Sequence, residues 1–260
     1  MTEPEKDQVT SSTQQDVAAD VAATASADDA RAAEVVADAE VIEANEAGEL
    51  DAELEQAAAE AVASAIEESE ELAAAKAEGL PVTCEVTPHH MFLTEDAIGD
   101  DYNTFLKVNP PLRTAEDAAA LVEGVVDGTV DAIVTDHAPH VDFEKDREFE
   151  LAPFGMIGLE TSLALVITHL VAPGVISWER AVELMAVAPR RILRLERVAL
   201  EPGSTADLTV IDPDAAWTVD PADFLSKATN SGFVGAELTG RATDVYVAGY
   251  ATLEDGAIVE

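Results

Sequence analysis

Residues 135–140 read Thr-Asp-His-Ala-Pro-His, an Asp and two His packed into one short stretch. All three side chains can bind a metal or carry a proton. The stretch follows a brief apolar run from Ala132 to Thr135, bounded by charge on both sides, which reads as a buried strand too short to be a helix. At the carboxyl end of a parallel barrel strand, residues lie on the face where active sites are built. A carboxylate there can ligate a metal, accept a proton from a metal-bound water, or do both in turn. The plainer reading makes Asp136 a helix N-cap and the two His surface residues. The hexapeptide alone leaves both open.

Other residues have types suited to chemistry. His89 and His90 follow a predicted strand, Val82–Val86, and read either as metal ligands or as a packed pair behind a site. Asn109 lies in Lys-Val-Asn-Pro-Pro-Leu-Arg (107–113), where two prolines stiffen the backbone. An amide held that way can both donate to and accept from a polar ring, although a stiff turn opening the next helix is the simpler role. The loop from His137 to Gly158 is long for a compact domain and contains Ala-Pro-Phe-Gly (152–155), where Gly155 lets backbone approach a ligand. His169 reads as a helix-terminal His favoured by the dipole. Arg190, Arg191, Arg194 and Arg197 read as partners for carboxylates rather than for phosphate.

The elements that must position these residues begin well into the chain. Residues 1–47 carry no aromatic side chain and are rich in Ala, Asp, Glu, Ser, Thr and Gln, which predicts an acidic disordered segment. Residues 48–79 predict an Ala/Glu-rich helix ended by Gly79. The first 80 residues hold 22 Asp or Glu against three Lys or Arg, so nearly half the net charge of −39 sits there. That charge repels nucleic acid and anionic membrane surfaces, and no apolar run is long enough to span a bilayer. No signal peptide is expected, and one cysteine, Cys84 in a predicted strand, suits a reducing cytoplasm and a buried, inert thiol. Residues 80–200 predict a strand–helix–strand unit. Thr114 caps a helix over 116–126 that Gly128 ends, and further helices follow over 157–170, from Ser177 to Ala186, and from Pro189 to Leu195. Residues 201–260 predict a small β domain with strands at 206–212, 215–219, 236–238 and 243–247.

Five motifs occur in order: Val-Thr-Pro-His-His (86–90), Lys-Val-Asn-Pro-Pro-Leu-Arg (107–113), Thr-Asp-His-Ala-Pro-His (135–140), Ala-Pro-Phe-Gly (152–155) and Gly-Ser-Thr-Ala-Asp-Leu-Thr-Val-Ile-Asp (203–212). Together they resemble the C-terminal half of a bacterial dihydroorotase of the amidohydrolase superfamily, over about residues 71–260. The segment 224–235 is similar too, with Ser231-Gly232 where the family usually has Thr-Pro. The resemblance implies an α/β fold, the C-terminal part of a (β/α)8 TIM-type barrel with strands 7 and 8, plus a small β-sandwich-type domain. It implies zinc and the reversible hydrolysis of dihydroorotate to carbamoyl-aspartate in pyrimidine biosynthesis. Asp136 matches the metal-ligand and proton-shuttling Asp. Asn109 and His140 match substrate contacts, and Phe154 and Gly155 match a loop that touches substrate. The His89–His90 pair matches a motif outside the metal's own ligands.

The sequence also departs from that pattern. The family's His-x-His and its mid-barrel Lys or Asp and His ligands have no counterpart, and upstream of Pro81 there is no His at all. Only Asp136 is matched among the metal ligands. The chain is therefore expected to be either a truncated, C-terminal piece of a longer dihydroorotase, or the partner of a separate N-terminal half-barrel chain that completes the site. The alternatives are an inactive scaffold that binds another pyrimidine-pathway enzyme, or a related cyclic amidase of hydantoinase or allantoinase type.

Overall fold

The computed structural model describes residues 74–197 and 199–259. The predicted disordered segment 1–47 and most of the predicted helix 48–79 lie outside the described residues. The chain divides into two units, Met1–Glu78 and Gly79–Glu260. Residues 74–77 close a helical turn, with the Glu78 N–H on the Ala74 carbonyl at 2.9 Å, and Gly79 follows at φ 76°, the left-handed conformation expected of a C-cap.

The strand–helix–strand reading holds, with shorter strands than expected. β1 (Glu85–Val86) and β2 (Ala132–Ile133) pair in parallel, Glu85 with Ala132 and Val86 with Ile133. Predicted strand 82–86 is cut back because the Cys84 N–H is taken by the Asp131 carboxylate at 2.7 Å rather than by a ladder. Predicted strand 132–136 is cut back because Asp136 turns left-handed, at φ 42°. Cys84 is half-buried against the core, not fully enclosed.

Between the strands lie α1 (Pro88–Phe92) and α2 (Ala115–Asp127). Thr114 caps α2 with a reciprocal box: its hydroxyl accepts the Asp117 N–H, and the Asp117 carboxylate accepts the Thr114 N–H. Gly128, at φ 96°, ends it. Beyond β2 come a short helix, α3 (Asp142–Lys145), then α4 (Ser162–Val166), which runs on into a π-helical turn, Ile167–Val171. The helix expected from 157 starts later because Gly158 is pressed against the Thr135 carbonyl, and the Gly158 and Leu159 N–H groups go to the His137 ring. The two helices expected around Pro189 form one run: α5 (Trp178–Val182), a π-helical turn (Glu183–Val187) and α6 (Ala188–Ile192). The wide turn lets Ala188 bond back to Glu183, and the N–H that Pro189 lacks causes no break.

The predicted β segment forms a four-stranded antiparallel sheet in the order β3 (Leu208–Thr218), β4 (Glu237–Val247), β5 (Tyr250–Glu254), β6 (Ala257–Ile258), within the same unit as the strand pair. Four short strands were expected over 206–247; two long ones form instead. The ladder absorbs Pro213 in an irregular stretch between Asp212 and Ala216. Gly240, at φ 97°, lets β4 continue where a Cβ would lie 2.5 Å from the Ile167 side chain. The sheet is thereby seated on α4 and its continuation. There Thr168 Oγ1 donates to the Thr239 carbonyl and accepts the Thr239 N–H.

Two apolar clusters hold the unit together. One gathers Val86 and Ile133 with Val125, Val166, Leu170 and Leu184. The other gathers Leu106, Val108 and Met156 with Leu165, Val219 and Leu238. Helix α4 feeds both, so burial on its two sides fixes the strand pair and the sheet to one scaffold.

Candidate active site

The stretch after β2 is shaped by backbone contacts. His137 bridges in parallel to Met156, and the Ala138 N–H donates to the Met156 carbonyl at 2.9 Å. His137 is thus committed to its own loop, its Nδ1 accepting two backbone N–H groups. Asp136 just before it is exposed, and among the described residues no hydrogen bond engages its carboxylate. Asp and Asn enter the left-handed region more readily than bulkier residues, which suits the turn that presents this carboxylate.

His140 meets the 152–155 loop directly: its Nε2 lies 2.9 Å from the Phe154 carbonyl, and its Nδ1 lies 3.5 Å from the Glu144 carboxylate. Gly155, at φ 113°, donates its N–H to the Lys107 carbonyl at 2.8 Å. A Cβ there would lie 2.5 Å from the Ala138 Cβ, so the two segments touch in a way only glycine allows. The Lys107 anchor brings in Asn109, two residues on and exposed. Pro110 beside it is held by His90, whose Nε2 lies 2.8 Å from the Pro110 carbonyl, while His90 Nδ1 lies 2.6 Å from Thr87 Oγ1. Asn109, Asp136, His140, Phe154 and Gly155 therefore sit on segments that are tied to one another.

Three residues that complete this knot were not picked out from the sequence. Asn230 is almost fully buried. It accepts the His140 N–H through Oδ1 and donates through Nδ2 to the Ala138 and Gly155 carbonyls. Lys107 donates to the Phe149 and Glu150 carbonyls and lies over the Phe154 ring at 4.6 Å. Lys145, 1% exposed, donates to the Thr104 and Pro153 carbonyls. A lone Asn in a polar stretch and two Lys in an acidic chain carry no periodic signal; only the fold shows what they hold. The loop they shape is not structureless as its length implied: it contains α3 and a 3₁₀ turn, Phe149–Leu151.

The ligand reading of the His pair is not borne out. Both ring nitrogens of His90 are engaged, and burial together with the His90 charge pushes the His89 pKa down to about 3. His169 lies in the last turn as expected, its ring 4.6 Å from that of Phe92, and burial lowers its pKa. Of the four arginines, Arg191 pairs with the Glu183 carboxylate at 2.7 Å, as expected, whereas Arg190 Nε donates to the Glu196 backbone carbonyl. Among the described residues no three His, Cys, Asp or Glu side chains come together as a metal site. Asp136 is a single candidate ligand, and one carboxylate does not hold a zinc ion.

No protein-family model matches the chain. Curated relatives do. The chain is 52% identical over 184 residues to the dihydroorotase of Pelotomaculum thermopropionicum, covering 71% of this chain and 43% of that one. It is 51% identical over 174 residues to the dihydroorotase of Chlorobaculum tepidum, covering 66% and 39%. Among solved structures it is similar to the L-hydantoinase of Arthrobacter aurescens, with a TM-score of 0.69 and 32% identity, over 74% of this chain and 44% of that one. The chain thus spans less than half the length of the curated relatives it matches. Over its C-terminal part the chain is similar to dihydroorotases in sequence and to a hydantoinase in structure.

Proposed function

We propose that this chain supplies the C-terminal part of a dihydroorotase-type active site, one that opens the cyclic amide of dihydroorotate to carbamoyl-aspartate and closes it again. The observation that carries the reading is the knot around Asn230, which holds the 135–140 and 152–155 motifs against each other with Asp136 left exposed. In this reading β1 and β2 correspond to barrel strands 7 and 8, and the four-stranded sheet is one part of a sandwich-type domain. Asp136 takes the proton of the attacking water and returns one to the leaving amide nitrogen. Asn109 and His140 hold the polar edges of the ring, and the backbone of Phe154 and Gly155 lines it.

The zinc expected of the family does not fit the described residues of this chain, which offer one carboxylate and no cluster of ligands. In a working assembly Asp136 would be one ligand, and the others would come from an N-terminal half-barrel. The strand pair favours such a partner. Among the described residues, β1 and β2 are bonded only to each other, and a parallel pair is normally closed in on its outer edges. The same lack of ligands favours a second reading, an inactive scaffold that binds another enzyme of the pathway. A hydantoin or similar cyclic amide is the remaining substrate class.

The test is dihydroorotate hydrolysis with zinc stoichiometry, on the chain alone and mixed with the N-terminal half of a related dihydroorotase. Hydrolysis in the mixture supports the reading. Zinc-free, inactive material in both, with the chain folded and bound to the added half, favours the scaffold.

A further inference from the structure

The loop that carries Phe154 and Gly155 has few apolar contacts to hold it: Phe154 is more than half exposed, as are Leu151 and Phe143. Besides the bonds from Asn230, Lys107 and His140, a lysine buried beneath holds it. The Lys145 ammonium donates to the Pro153 carbonyl at 2.8 Å and to the Thr104 carbonyl at 3.0 Å. The contact is returned: Thr104 Oγ1 donates to the Lys145 carbonyl at 2.6 Å. Pro153 immediately precedes Phe154, whose carbonyl meets His140. A buried ammonium without a carboxylate is costly, and it is tolerated where its hydrogen bonds have no other donor.

We propose that Lys145 is a positioning residue of the site, its buried ammonium clamping the Phe154–Gly155 backbone to the Thr104 turn in the shape that faces substrate. That the loop faces substrate rests on the function proposed above; that Lys145 orders the loop does not.

The charged groups around it are accounted for. Lys107 approaches from the 104–107 segment, but its ammonium is spent on the Phe149 and Glu150 carbonyls. On its own helix, Glu144 faces His140 and Asp142 accepts from Thr229, while Arg147 Nε donates to the Phe143 carbonyl. Lys145 borders a cleft that it lines with Asp101, Asp146 and Arg147. Burial first, and the Lys107 charge second, push the Lys145 pKa down to about 8. Above that pH the amine keeps two N–H donors, enough for both carbonyls, but loses its charge, so the two bonds weaken.

The experiment is amide hydrogen exchange on the full chain between pH 6.5 and 9.5, corrected for the intrinsic pH dependence of exchange. It compares a peptide over 151–158 with a control from α2. Protection of 151–158 is expected to fall at least tenfold as pH rises past about 8, while α2 stays protected. Lys145→Met, which has no donor at all, is expected to lower protection of 151–158 at every pH, again with α2 protected. Protection of 151–158 that stays level across the range in the unmodified chain overturns the proposal, whether or not the variant folds and whether or not the chain hydrolyses anything.

Discussion

The amide of Asn230 holds the backbone of His140, its Oδ1 accepting the His140 N–H at 3.1 Å across 90 positions of chain. The same side chain donates to the Ala138 and Gly155 carbonyls at 3.0 and 3.2 Å. One residue thus satisfies three backbone groups on two segments that have no regular secondary structure to satisfy them. Asn230→Ala leaves all three without this partner, the Gly155 carbonyl buried and the other two partly so. A loss of about 2–4 kcal/mol is expected, read as a lower urea midpoint. Asn230→Asp is expected to be worse at neutral pH than at pH 4. A carboxylate can still accept from His140, but it faces two carbonyls with no proton to give. A urea midpoint for Asn230→Ala within error of the unmodified chain would refute the role.

Gly155 is the second fixed point. Its φ of 113° excludes most side chains, and the Ala138 Cβ occupies the space a methyl would need. Gly155→Ala is expected to cost about 2–3 kcal/mol from strain and overlap together. Adding Ala138→Gly relieves the overlap but not the φ, so the double variant recovers part of the loss. Full recovery, or none, in paired denaturation curves would assign the cost to only one of the two causes.

The outline of the fold was readable because it rests on local signals. Thr114 and Gly128 bracket α2, Ser177 opens α5, and alternation marks the late sheet. The roles expected of Asp136, His140, Phe154 and Gly155 come from the family resemblance and not from any local signal. What stayed hidden depends on distant partners. Asn230 gains meaning only from Ala138 and Gly155, and Lys145 only from Thr104 and Pro153. Element ends also slipped where tertiary contacts overrode the pattern: Gly158 on Thr135 delays α4, and Gly240 on Ile167 carries β4 past an apparent stop.

His89 predicts an acid limit on stability. It is buried at 2% exposure with an unpartnered Nε2, and its pKa of about 3 lies below the usual value of 6.5. Between those values the unfolded chain binds a proton that the folded chain does not. Stability from this group is therefore complete above about pH 6.5 and is lost as pH falls toward 3, on the order of 1.4 kcal/mol per unit at most. Carboxylates titrate in the same range, so the informative quantity is the difference from His89→Leu. That variant removes the proton site and the orphaned nitrogen, and its stability is expected to fall less steeply between pH 6.5 and 4. Parallel stability curves for the two proteins would show that His89 does not titrate with unfolding.

Asp136 offers the sharpest separation of chemistry from structure. It is exposed, left-handed at φ 42°, and unbonded through its side chain among the described residues. Asn has the same shape and enters the left-handed region at little cost, so Asp136→Asn should leave the thermal midpoint where it is. It can neither take a proton from water nor serve as an anionic ligand. In an active assembly with an N-terminal half-barrel, its turnover is expected to drop by about 10²- to 10⁴-fold. Retained turnover would remove Asp136 from the proton path, because the unchanged fold excludes a compensating rearrangement. A lowered midpoint with lost turnover would instead make Asp136 a structural residue of the turn, and the proton carrier would have to be sought in the completing half.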